Sequence, residues 1–204
     1  MGSHEILFLV FSYFAGSIPT GFIVFRISAK NDIRNEGSGN IGATNIFRIL
    51  GGKAAAITLL VDVIKGILPV IYGVIHFKYP PLVLGGGALA IIGHCYPIWL
   101  KFRGGKGVAT FAGVFIAYMA APDGLFVFPV FALIFIFFLF QTGYVSISSI
   151  AGISGAFFTI LFTNIPEASI IILITIIIIV IKHRRNIERL RSGTENKLYR
   201  RENG

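Results

Sequence analysis

Long apolar runs alternate with short polar segments along this chain, and the runs have the length of helices that cross a bilayer. Such a helix needs about 20 apolar residues, and segments 6–27, 54–77 and 82–100 each reach that length. The pattern then shortens. Segment 108–121 is rich in Ala and Gly, Pro122-Asp123-Gly124 signals a turn, and 125–140 is apolar again. Segments 146–162 and 168–181 flank Thr163-Asn164-Ile165-Pro166-Glu167, a second hairpin signal. The expected fold is an all-α integral membrane protein, a bundle of seven transmembrane helices, with five as the rival if weak segments merge or drop out. One polytopic domain then occupies residues 1–204, with no room for a separate soluble domain. The apolar run after the opening residues lacks a basic leader and a small-residue cleavage site, so it is read as a retained first helix.

Composition agrees with the pattern: 55% hydrophobic and 13% charged residues, with a mean hydropathy of +0.81, lie outside the range of soluble domains. The formal net charge of +9 invites a nucleic-acid reading, but the cations sit beside apolar spans rather than on a soluble surface. No nucleic acid is expected; anionic lipid or substrate and a positive-inside bias account for the charge. Arg26, Lys30, Arg34, Arg48 and Lys53 flank the first polar loop, Lys101, Arg103 and Lys106 lie in the second, and Arg crowds the C-terminal segment. The opposite side carries Lys78, Asp123 and Glu167. An odd number of spans puts the N-terminus outside and the basic face, with the C-terminus, in the cytoplasm.

The charge falls into three glycine-bearing segments: 37–48 (GSGNIGATNIFR), 93–110 (GHCYPIWLKFRGGKGVAT) and 183–195 (HRRNIERLRSGTE). Flexible backbone N–H groups and fixed cations together surround an oxyanion well. The first segment matches GxGxxG literally, but no strand precedes it and no βαβ unit encloses it, so a dinucleotide site is rejected. Gly107 follows Lys106 where a Walker loop needs Ser or Thr, which rejects a nucleotide loop too. What survives is the physics: glycines let the backbone approach an anion, and a helix start behind them adds a favourable dipole.

Ser38, Asn40, Thr44 and Asn45 supply neutral polar groups in the first segment, with Arg48 one helical turn beyond Thr44. A plain glycine turn capping a helix is the competing reading there. Lys101 and Arg103 suit simple membrane anchoring, whereas Lys106 sits between glycines with backbone exposed around a point charge. In the third segment His183 and Asn186 share a helical face extended by Ile187 and Leu190, while Arg184, Arg185, Glu188 and Arg191 point elsewhere. Asp62 and Lys65 are spaced as an intrahelical pair inside the second span, and His94 is placed to orient the loop that follows it. The single cysteine, Cys95, rules out an intrachain disulfide, and no CxxC or HExxH spacing points to a metal. Neither metal nor cofactor is expected.

In order, spacing and span length these three segments resemble the signature regions of the bacterial acyl-phosphate:glycerol-3-phosphate acyltransferase family, often called PlsY. The likeness covers almost the whole chain, with Arg103 standing where a Lys is common. It implies transfer of a fatty acyl group from acyl phosphate to the sn-1 hydroxyl of glycerol 3-phosphate, giving lysophosphatidic acid and inorganic phosphate at the cytoplasmic face of the bacterial cell membrane. It also implies Lys106, His183 and Ser38 as the residues nearest the chemistry. Asn40, Thr44, Arg48, Gly104, Gly105, Gly107 and Asn186 would join them in binding substrate. A nucleophilic serine has no GxSxG elbow here, and the HxxxxD signature of other glycerolipid acyltransferases is missing. An anion transporter and a noncatalytic membrane subunit are the readings from other classes. The first lacks an internal repeat, and the second leaves the phosphate-type ligands unexplained.

Overall fold

The computed structural model describes residues 2–163 and 165–199. Among the described residues all regular structure is helical: α1 Ser3–Ser17, α2 Thr20–Ala29, α3 Ala43–Leu50, α4 Gly52–His76, α5 Pro80–Cys95, α6 Val108–Tyr118, α7 Val127–Thr142, α8 Val145–Leu161, α9 Pro166–Lys182 and α10 Arg184–Arg191. Asn164, within the expected second hairpin, lies outside the described residues. The chain forms two compact units, divided after Tyr118.

Length and composition qualify four segments to cross a membrane: Ser3–Ala29, Gly52–His76, Pro80–Leu100 and Pro122–Thr142. A fifth is reached if Pro166–Lys182 and Arg184–Arg191, bent by 52°, count as one. The helices Val108–Tyr118 and Val145–Leu161 are shorter, so length alone does not yield the expected seven. Two expected helices also end differently. The run 6–27 breaks between Ser17 and Thr20, because Pro19 has no N–H to give the ladder and its ring crowds the preceding turn. The run 82–100 leaves the α-helix at Cys95, just ahead of Pro97, and finishes in a tight turn, Ile98–Leu100.

In the first unit α5 is the most enclosed helix, and its small residues decide what packs on it. A Cβ on Gly16 would collide with the Ala90 carbonyl, and one on Gly93 with the Tyr13 carbonyl. Helices α1 and α5 therefore meet backbone to backbone. Between α4 and α6 the same holds for Gly66 against the Thr110 carbonyl and Gly113 against the Val63 carbonyl. Such contacts gain dispersion energy where lipid removes most of the hydrophobic drive for helices to associate. Ser12, Ser17 and Thr58, all buried, return their hydroxyls to carbonyls one turn back at 2.7–2.9 Å, so no polar group faces hydrocarbon unpaired at these sites.

In the second unit α7 and α8 form a hairpin through Gly143, whose φ of 74° suits the left-handed turn at a helix end. The outward face of α7, including Leu133, Ile136, Phe137 and Phe140, is exposed and apolar, as a lipid-facing surface should be. The C-terminal residues close over this turn: Leu198 N–H donates to the Gly143 carbonyl at 2.8 Å, and the Tyr199 hydroxyl to the Leu139 carbonyl at 2.8 Å. Lys197 Nζ lies 5.3 Å from the centre of the Tyr144 ring, within the range of a cation–π contact.

Candidate functional site

Two of the three polar segments lie at one end of the first unit. Helix α2 stops at Lys30, which takes a left-handed conformation. Asp32 then accepts from the Arg34 N–H at 2.9 Å and from the Arg34 guanidinium, Nη2 to Oδ2, at 2.6 Å. That hydrogen-bonded guanidinium holds the Asp32 carboxyl below its ordinary range. Arg34 also lies over the Phe22 ring, and its Nη1 reaches the Leu100 carbonyl at 3.5 Å. Beneath it, Phe25, Ile33, Ile41, Ile46, Ala55 and Leu100 form one buried apolar cluster. The first glycine loop and the start of the second are therefore seated on a common floor.

The shape of the first loop is set by Asn45. Its Oδ1 accepts from the Ser38 N–H at 2.9 Å, while its Nδ2 donates to the carbonyls of Glu36 at 3.0 Å and Asn40 at 2.9 Å. Asn40 in turn accepts from the Gly42 N–H at 2.8 Å. Gly37 and Gly39, at φ of 56° and 70°, supply the left-handed turns this closure requires. Helix α3 follows at once, carrying Thr44 and Arg48 one turn apart. Ser38, Asn40 and Thr44 are half-buried, whereas Arg48 is exposed.

The second loop folds back onto the end of α5. Gly104 N–H donates to the Cys95 carbonyl at 3.2 Å and Gly105 N–H to the His94 carbonyl at 3.0 Å. A side chain at Gly104 would strike the His94 carbonyl and Pro97, and one at Gly105 the His94 ring. Gly107, at φ of 85°, turns the chain into α6. Lys106 thus stands directly ahead of a helix start, where the first N–H groups have no intrahelical partner and the dipole favours an anion.

The third segment belongs to the second unit. His183 is not inside one helix with Asn186, as its spacing suggested, but caps α10 at the 52° bend after α9. Both side chains are buried. His183 Nδ1 lies 2.8 Å from the Ile179 carbonyl; a carbonyl only accepts, so Nδ1 carries the proton and, in the neutral ring, Nε2 presents a lone pair. Asn186 Nδ2 donates to Glu195 Oε1 at 2.6 Å, a carboxylate oxygen that also receives the Ser146 hydroxyl at 3.1 Å. Arg189 Nε donates to Glu195 Oε2 at 2.7 Å. Burial raises the Glu195 pKa, but the bonds from Asn186, Arg189 and Ser146 outweigh it and leave the net value lowered. Asn186 is thus a brace for the C-terminal residues as well as a candidate ligand.

Sequence reading named Asn45 only as one of the polar groups of the first segment, with no part in shaping the loop, and gave no role to Glu195, Arg189 or Ser146. Asn45 had a usable signal, since the third residue of a helix is the place from which a polar side chain reaches back to the preceding loop. Ser146 had none, because its partner lies 49 positions away.

The sequence model of the family described as glycerol-3-phosphate acyltransferase matches residues 6–193 of this chain. The chain belongs to that family. A glycerol-3-phosphate acyltransferase of Macrococcus caseolyticus (strain JCSC5402) is 45% identical over 195 residues, 94% of this chain and 96% of the relative. One of Endomicrobium trichonymphae is 41% identical over 198 residues, 95% of this chain and 96% of the relative. Among solved structures the fold matches the crystal structure of PlsY (YgiH), an integral membrane glycerol 3-phosphate acyltransferase, in its glycerol 3-phosphate form. The TM-score is 0.87 and the identity 32%, over 97% of this chain and 96% of that one. A second structure of PlsY, in its lysophosphatidic acid form, matches with a TM-score of 0.82 at 30% identity, again over 97% of this chain and 96% of that one. With its apolar helices, this family member is a multi-pass membrane protein.

Proposed function

We propose that the protein transfers a fatty acyl group from acyl phosphate to the sn-1 hydroxyl of glycerol 3-phosphate, releasing lysophosphatidic acid and inorganic phosphate. The observation that carries this reading is the glycine loop of residues 104–107, pinned to the end of α5 and opening straight into α6, with Lys106 at its apex. That arrangement offers backbone donors, a helix dipole and a cation to one oxyanion. The family membership and the two ligand forms of PlsY supply the substrate class.

In the proposed reaction the acceptor hydroxyl attacks the acyl carbonyl directly. Lys106 and the Gly107 N–H stabilise the developing oxyanion, while Gly104 and Gly105, their own N–H groups bonded to the end of α5, leave room for the donor; phosphate departs with the electrons of the broken C–O bond. An acyl phosphate is already activated, so no covalent enzyme intermediate is needed. A donor phosphate oxygen accepts the hydroxyl proton. Ser38, Asn40, Thr44 and Arg48 bind phosphate oxygens, while His183 positions glycerol 3-phosphate, with Asn186 beside it. The chemistry is assigned to the inner leaflet, and the whole chain acts as a single domain.

The topology we assign is seven crossings, N-terminus outside, in the bacterial cytoplasmic membrane with the site on the cytoplasmic face. Support comes from the contact of Leu198 and Tyr199 with the α7–α8 turn, which fits that turn and the Arg-rich α10 lying on one side of the membrane. If α8 crosses and α6 does not, the parity changes and the Arg-rich terminus faces outward, against the positive-inside rule. The shortness of α6, 11 residues or about 16 Å, is offset by the loop of residues 104–107, which recedes along the end of α5 and lets α6 begin below the surface.

The test is lysophosphatidic acid formation by purified protein given glycerol 3-phosphate with acyl phosphate, and in parallel with acyl-CoA and with acyl-carrier protein, following phosphate release for the first donor and thiol release for the other two. Product from acyl phosphate and from neither thioester is expected; no product from any donor overturns the enzyme reading. The rival route makes His183 the general base; near-normal kcat in His183→Ala excludes it, whereas a loss is shared with poor positioning of glycerol 3-phosphate.

A further inference from the structure

The first unit contains a buried ionic chain that the reaction above does not use. Asp62 and Lys65 on α4 and His94 on α5 are each at most 4% exposed. Lys65 Nζ lies 2.8 Å from Asp62 Oδ1, and His94 Nδ1 faces the same oxygen at 3.6 Å. At one end the chain reaches the broken first span, where Lys65 Nζ donates to the Ile18 carbonyl at 2.7 Å. The helix is broken there, and the Ile18 carbonyl, which accepts from the Thr20 N–H at 3.0 Å, takes the buried ammonium as a second donor. At the other end the His94 carbonyl accepts from Gly105 N–H, and its ring lies so close to Gly105 that a Cβ there would collide with Nε2.

Burying an ion pair in a bundle is expensive, and apolar residues of similar volume usually serve stability as well or better. Its retention therefore calls for a positional role. We infer that Asp62, Lys65 and His94 are positioning residues that fix the His94 ring, and through it the loop of residues 104–107, in register with the broken first span. With the loop's phosphate role taken from the function proposed above, the three act on catalysis without touching substrate. Asp62 holds the ring by its Nδ1 side, Lys65 anchors Asp62 to Ile18, and the ring sets how far the Gly105 backbone sinks against α5. Gly105 is then glycine because the ring occupies the space of its side chain.

Limited trypsin digestion of the purified protein in detergent reads loop position without activity. Cleavage after Lys101, Arg103 and Lys106 is followed by mass spectrometry, with cleavage after Arg184 and Arg185 as the internal control. His94→Gln leaves the Asp62–Lys65 pair whole. The pair Asp62→Asn with Lys65→Met removes both charges together, so that neither variant strands a buried ion. Each is expected to raise cleavage after Lys101, Arg103 and Lys106 about tenfold, equivalent to about 1.4 kcal/mol, with the control sites unchanged. In turnover assays the KM of the substrate whose phosphate the loop holds should rise, while the other KM stays. Gly105→Ala should be less damaging in a His94→Ala background than alone. Unchanged loop cleavage, or an equal rise at the control sites, overturns the inference. A wild-type protein inactive with every donor would overturn the proposed reaction instead, and the proteolysis would still decide the positioning role.

Discussion

Replacing Asn45 should unfasten the first glycine loop while leaving the bundle intact. The side chain is buried and closes its loop through the Ser38 N–H and the Glu36 and Asn40 carbonyls, at 2.9, 3.0 and 2.9 Å. Each such bond contributes about 1 kcal/mol net, so Asn45→Ala should weaken the closed loop by about 2–3 kcal/mol. Tenfold in population corresponds to about 1.4 kcal/mol, which makes local opening about 30- to 150-fold more frequent. Asn45→Asp is the sharper perturbation. It keeps an acceptor for Ser38 but turns a carboxylate oxygen toward two carbonyl oxygens in place of the donor, so it should be worse than Asn45→Ala despite its similar shape. Hydrogen exchange read by mass spectrometry over residues 36–45, with α7 and α8 as internal reference, measures both. Protection of the loop in Asn45→Asp equal to that of wild type, or greater than in Asn45→Ala, would refute the hydrogen-bond assignment.

Lys106→Met should lower kcat about 100- to 1,000-fold, the usual loss when one oxyanion-stabilising group is removed, with the thermal midpoint nearly unchanged by scanning calorimetry. Gly113→Ala should destabilise the first unit by about 1–3 kcal/mol, because the new Cβ strikes the Val63 carbonyl of α4; a thermal melt that matches wild type would contradict the contact. Acid should release the C-terminal brace. Glu195 is depressed from its ordinary 4.5, so its contribution is complete above that value and disappears as pH falls through the lower folded value. Exchange at Leu198 should accelerate in that window, and Glu195→Gln should abolish the pH dependence.

The amino-acid sequence determined the membrane class, the helical architecture and the grouping of cations into three polar segments, because these follow from local hydropathy and from charges within a few residues of each span. The pairing of Asp62 with Lys65 was legible too, since i and i+3 on a helix are neighbours whatever surrounds them. Tertiary structure decided what depends on partners distant along the chain. Helix α1 stops before Pro19, but only folding brings Lys65 to the Ile18 carbonyl. His94 gains its role because α4 sets Asp62 beside it and the following loop doubles back onto α5. Ser146 and Glu195 meet because the residues after α10 return across the α7–α8 turn. Periodicity reports which face of a helix avoids water; in a bilayer nearly every face does. The choice of neighbours therefore falls to glycine contacts and buried polar bonds, whose partners exist only once the helices are packed.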